Sequence, residues 1–131
     1  MIVNRINIKT AEKCCFTDIT TSVRRIIVSE NFNEGLCQVF VPHTTAGITI
    51  NEAADPDVAK DILKHLEKKV PFNDSYDHSE GNSAAHIKTL LTGSSITVPV
   101  SGGKLLLGTW QGIYLCEYDG PRNRSAVISL L

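Results

Sequence analysis

Residues 96–131 are cut by glycine and proline into short apolar runs, and this spacing constrains the fold more than any other feature. Residues 96–100 and 104–107 flank Ser101-Gly102-Gly103, a hairpin signal. Residues 112–118 and 124–131 flank Asp119-Gly120-Pro121. Upstream, strands are predicted through Ile8, over 13–16 and 36–41, and at 47–50. Strands outnumber helices and come consecutively at the C-terminal end. The pattern predicts an α+β fold, one domain over 1–131, with an antiparallel sheet or sandwich and two to three helices.

The helices carry their own start and stop signals. Asp18 or Thr20 can cap a helix with Ile19, Val23, Ile26 and Ile27 on one stripe. Asp55 before Pro56 starts the clearest helix, because its carboxylate can accept a free backbone N–H and Pro56 loses no intrahelical bond there. Val58, Ile62, Leu66 and Val70 recur every fourth residue and are expected to face the core, and Pro71 stops the helix. A shorter helix is expected from Asn82 or Ser83 to Leu91. The loop before it is polar and holds His78, Glu80 and Asn82.

Composition excludes several classes. Thirteen basic residues against fourteen acidic ones argue against a broad footprint for nucleic acid or an anionic membrane. No apolar run approaches the length of about 20 residues that spans a bilayer. The N-terminus has no signal-peptide pattern. Cys14, Cys15, Cys37 and Cys116 form no C-x-x-C pair and read as reduced thiols of a cytoplasmic protein.

The histidines carry the functional signal. His43 lies in a run of threonines, Asn51 and Glu52, while His78 and His86 bracket Ser79-Glu80-Gly81-Asn82-Ser83-Ala84-Ala85. Imidazole is the commonest protein ligand for transition metals, and three imidazoles leave a fourth position for water or substrate. His43, His78 and His86 are therefore the candidate metal ligands; otherwise each caps or fills its own local structure. His65, among lysines on its helix, is expected at the surface. Three imidazoles suit zinc better than magnesium, which prefers oxygen. His43, Glu52 and Glu80 are the candidate catalytic residues, the two carboxylates as general bases. Thr44, Thr45, Asn51, Asn82, Trp110, Arg122 and Arg124 are candidates for binding a substrate or anion. Arg122 and Arg124 alternate, so a strand would present both on one face, where such a pair grips phosphate or else charges an edge strand against aggregation. Trp110 can stack on a heteroaromatic ring, or pack in the core or at a subunit interface.

Four segments carry a resemblance: residues 41–52 (VPHTTAGITINE), 81–86 (GNSAAH), 103–112 (GKLLLGTWQG) and 117–122 (EYDGPR). In that order they resemble the YjbQ-like family, which is named for a secondary thiamine-phosphate synthase activity. The resemblance implies a homotrimer with sites near subunit boundaries, and it carries the family histidines onto His43, His78 and His86. Asn123 interrupts what is often an unbroken basic run, leaving an anion site one arm fewer. The expectation is a small cytoplasmic metal-binding enzyme with a divalent metal, zinc, acting on a phosphorylated or heteroaromatic small molecule. Nucleic acid and membrane partners are not expected. The alternatives are a metal-dependent hydrolase or lyase, a non-enzymatic metal- or metabolite-binding trimer, and a purely structural trimer.

Overall fold

A computed structural model describes residues 1–131, and in it the apolar runs pair into two antiparallel sheets. In chain order the elements are β1 (Ile2–Lys9), β2 (Cys15–Asp18), α1 (Thr20–Ser29), β3 (Gly35–Phe40), β4 (Ala46–Glu52), α2 (Pro56–Lys69), α3 (Ser83–Thr92), β5 (Ser95–Ser101), β6 (Lys104–Leu105), β7 (Gln111–Glu117) and β8 (Asn123–Leu130). The larger sheet has the order β1-β8-β3-β5-β6, and the smaller has β2-β7-β4. The α+β expectation holds, with three helices.

Side chains alternate across a strand, and β7 uses both faces. Ile113 and Leu115 join Val39, Ile48, Val98 and Ile128 in the main core, which also takes Val23 and Ile27 from α1. Tyr114, Cys116 and Tyr118 turn the other way, to Ala85 of α3 and the half-buried Leu63 and Leu66 of α2. The small sheet is thus a middle layer. Full burial of Ile113 and Leu115 contributes about 1.5–3 kcal/mol each.

Two helix expectations need correction. At α1, the Asp18 carboxylate accepts from the backbone N–H and the hydroxyl of Thr20, but the residue in the cap position is Ile19, whose side chain makes no capping bond. At α2, Asp55 caps as expected, accepting from Asp57 N at 2.9 Å. Yet Val58, Ile62, Leu66 and Val70 are only half-buried, and no residue of α2 is fully buried. The helix lies along the flank of the small sheet rather than in the core. Strand β6 ends at Leu105: Leu106 N still donates to Pro99 O at 2.9 Å, but Pro99 has no N–H to return a bond.

Two features place the segment that carries the site. Residues 41–45 run from β3 in the large sheet to β4 in the small one, so they cross one end of the sandwich. A Cβ on Gly47 would stand 2.6 Å from Gly93 O, so only glycine lets the end of α3 close on β4, where Ile48 N donates to Gly93 O at 3.1 Å.

Candidate anion-binding site

The end of the sandwich crossed by residues 41–45 holds an open cleft of about 540 Å³, lined by His43, Thr44, Thr45, Ser94, Arg122 and Arg124 with Phe40, Val41 and Pro42. No carboxylate lines it. A second depression of about 390 Å³ shares His43, Thr44 and Ser94 with it and reaches His86 and Thr89 on α3. A third, of about 570 Å³, shares His86 and continues to His78, Tyr76 and Ser75. The three form one groove along α3, with His86 in the middle.

The two arginines have different jobs. Arg124 is the first inward residue of β8 and is 4% exposed. Its guanidinium grips Glu117 of β7 with Nε (2.9 Å) and Nη2, and Nη2 also donates to Thr45 O and Oγ1 at 3.1 and 2.8 Å. Glu117 is fully buried, and it also accepts from Thr10 Oγ1 at 2.7 Å and Asp119 N at 3.0 Å. Burial pushes the Glu117 carboxyl upward, but the bonds from Arg124, Thr10 and Asp119 outweigh it and hold it below its ordinary range. The pair ties the two sheets together at the end where the cleft opens. Arg122 precedes β8, in the turn, and its side chain is 49% exposed. Its Nε and Nη2 donate to Asp119 O and Oδ2 at 2.9 and 3.0 Å, which leaves Nη1 for a ligand. The two arginines do not share a strand face, but both line the cleft beside His43: Arg124 is held inside the fold through Nε and Nη2, and each of the two leaves Nη1 without a protein partner.

His43 is also engaged. Its Nε2 accepts from Ser125 N at 3.0 Å, so the neutral ring carries its proton on Nδ1. Burial and then the charge of Arg124 push its pKa below the ordinary value of 6.5. The ring is thus a neutral donor at neutral pH. Thr44 is exposed, and its hydroxyl has no protein partner, whereas Thr45 is buried under Arg124.

The expected three-histidine metal centre does not assemble. His78 and His86 stand edge-on with ring centroids 5.6 Å apart. His43 meets His86 only across the middle depression, and its Nε2 is already an acceptor for a backbone N–H. No group of three His, Cys, Asp or Glu side chains in the chain is close enough to hold a metal ion. The imidazoles do not fit zinc as a set.

Other expected site residues lie elsewhere. Strand β4 is seven residues long, about 20 Å from end to end, and it carries Asn51 and Glu52 to the far side of the small sheet. There Asn51 Oδ1 accepts from Glu52 N, Glu52 Oε2 accepts from Ala54 N, and Tyr114 Oη donates to Glu52 O. Trp110 is at that same end, its carbonyl accepting from Ala53 N and its side chain exposed. Glu80 is exposed in the turn before α3 and lines none of the three depressions. Asn82 is buried at the α3 cap position, and its Nδ2 donates to Asp119 Oδ2 at 2.9 Å. His65 is exposed, as expected. Sequence reading missed Asp119 and Ser94. Asp119 is the joint acceptor that links the start of α3 to Arg122. Its signals were its place before Gly120-Pro121, where it read as turn chemistry, and its membership of the 117–122 segment that carries the family resemblance.

Fold and cleft together define a class: a small two-sheet α+β domain with an open cleft at one end that is lined by two arginines and a histidine and by no carboxylate. The chain belongs to the family described as UPF0047 protein YjbQ-like, which it matches over residues 4–131. It is 45% identical to UPF0047 protein YugU of Bacillus subtilis over 131 residues, covering 99% of each chain. It is 46% identical to UPF0047 protein MJ1081 of Methanocaldococcus jannaschii over 127 residues, covering 97% of this chain and 92% of that one. A crystal structure of a YjbQ/UPF0047 family protein from Clostridium acetobutylicum superposes with a TM-score of 0.96 at 49% identity, covering 98% of this chain and 99% of the other. These relatives confirm the expected family and fold. They attach no thiamine chemistry and no metal to it. With no three-ligand cluster in the chain, the expectation of a metal-binding enzyme with thiamine-phosphate synthase activity is overturned, and its metal-dependent alternatives go with it.

Proposed function

We propose that this protein binds a small phosphate-bearing molecule in the cleft between His43 and Arg122, without a metal. The observation that carries the reading is the lining itself: donors from His43, Thr44, Ser94 and Arg122, and no carboxylate. A phosphate oxygen accepts from each of these groups, and its bond to a guanidinium is charge-assisted. The remainder of the ligand lies along the groove toward His86 and His78.

Two further parts of the reading rest on the surface and the thiols. Ile87, Leu90 and Leu91 on α3 are exposed beside the groove, and Trp110 and Leu106 are exposed elsewhere, which supports assembly as a homotrimer. Four free cysteines support a cytoplasmic location. No helix is long and apolar enough to cross a membrane.

The test is calorimetric titration with glycerol phosphate in buffer containing a chelator. Binding that survives the chelator and weakens at least about tenfold in Arg122→Gln supports the reading, a tenfold loss being about 1.4 kcal/mol. No binding, or binding indifferent to that substitution, overturns it.

A further inference from the structure

A second groove lies on another face of the molecule, away from the histidines. Helix α1 and the β5–β6 hairpin enclose a trough of about 410 Å³. Buried Ile27 and Leu105 make its floor, and Val28 lies along it with 74% of its surface exposed. A smaller depression of about 160 Å³ shares Ile27, Val28 and Gly103 with it and extends the apolar floor to Phe32. The hairpin wall is bare, because Gly102 and Gly103 both have positive φ (59° and 74°), and a Cβ on Gly102 would meet nothing within 4 Å.

The rim is cationic. Arg24 from α1 and Lys104 from β6 flank the trough, and neither forms a salt bridge or a side-chain hydrogen bond. One carboxylate touches the hairpin, that of Glu34 in the loop before β3. It does not line the trough, and its Oε1 is occupied by Ser101 Oγ at 3.1 Å and Gly102 N at 2.8 Å. Two unpaired cations over an apolar floor are complementary to one class of ligand, an acid with an apolar tail. The volume is that of a small-molecule site, since such sites run from about 300 to 1,000 Å³. A peptide adding as a strand is a poor occupant, because β6 offers an edge of only two residues.

We infer that the α1–β6 trough binds a free medium-chain monocarboxylate, its tail over Ile27, Val28 and Leu105 and its carboxylate between Arg24 and Lys104. This site is independent of the histidine groove, with which it shares no residue.

The experiment is an amide-shift titration of the full chain with sodium decanoate, with 1-decanol and phosphatidylglycerol vesicles as separate probes. The inference predicts saturable shifts at Val28, Gly102, Gly103 and Lys104 with decanoate. Decanol should bind at least tenfold more weakly. Arg24→Gln with Lys104→Gln should weaken decanoate at least tenfold, while Val28→Glu, an exposed position that leaves the core intact, should abolish it. The inference is overturned by no saturable shift, by shifts confined to the histidine groove, or by equal binding of the alcohol. Shifts only with vesicles, or a trough already covered by a second copy at working concentration, overturn it equally.

Discussion

Glu117 and Arg124 set the local chemistry at the residue scale. Both are buried, one on each sheet, and each satisfies the other. Arg124→Met should destabilise the protein by about 3–5 kcal/mol, because it leaves Glu117 charged and unpaired. Adding Glu117→Leu should recover much of that loss, which denaturant melts of the single and double variants will measure. If the double variant is no better than the single, the pair is not the source of the cost. His43 adds a pH dependence of known sign. Its folded pKa is depressed, so its contribution is present above the ordinary value of 6.5 and is lost as pH falls through the lowered one. Glu117 is also depressed, so its contribution is present above its ordinary 4.5 and is lost below it. The melting temperature should therefore begin to fall below pH 6.5 and fall again below pH 4.5. His43→Gln keeps an acceptor for Ser125 N without titrating, and should remove the first decline only.

At the scale of elements, α2 and α3 are clasped by one ion pair. Lys88 on α3 is 2% exposed and donates to Glu67 Oε2 on α2 at 2.6 Å. Glu67 also accepts from Phe72 N, so it anchors the start of the loop that carries His78. Glu67→Ala should cost about 1–3 kcal/mol, the penalty for an unmet buried donor. It should also loosen residues 72–82, which amide exchange will read as faster exchange there with the sheets unchanged. Asp55→Ala removes the α2 cap and should cost about 1 kcal/mol. The capped helix and the Gly-cut strands were legible in the sequence, because their signals are local. The half-burial of α2 was not, since a stripe every fourth residue says which face turns inward but not what covers it. The arginines reach the cleft beside His43, though not as neighbours on one strand face. Alternation at Arg122 and Arg124 assumes one strand, and β8 begins between them at Asn123. The histidines did reach one groove, yet spacing along the chain cannot say whether three rings meet at a point.

For the whole molecule, the two-sheet sandwich fixes which residues can cooperate. Strand β4 separates Glu52 and Trp110 from His43 by its own length, so within one chain they cannot act on the same small ligand. The histidine groove and the α1–β6 trough likewise share no residue. The proposed trimer should appear in light scattering at about three times the 14.3 kDa chain mass. Leu90→Glu with Leu91→Glu, both exposed, should return it to the chain mass without unfolding it. A wild-type chain that scatters as a monomer at micromolar concentration removes the trimer and leaves the cleft intact.

The central claim is that the cleft takes an oxyanion by its own donors, and a tungstate soak tests it most directly. Crystals of chelator-treated protein, soaked at low millimolar tungstate, report the anion by its anomalous signal. The account predicts one peak within hydrogen-bond distance of Arg122 Nη1 and Thr44 Oγ1, absent in Arg122→Gln. A peak held by His78 and His86 alone, or none in the cleft at all, contradicts it.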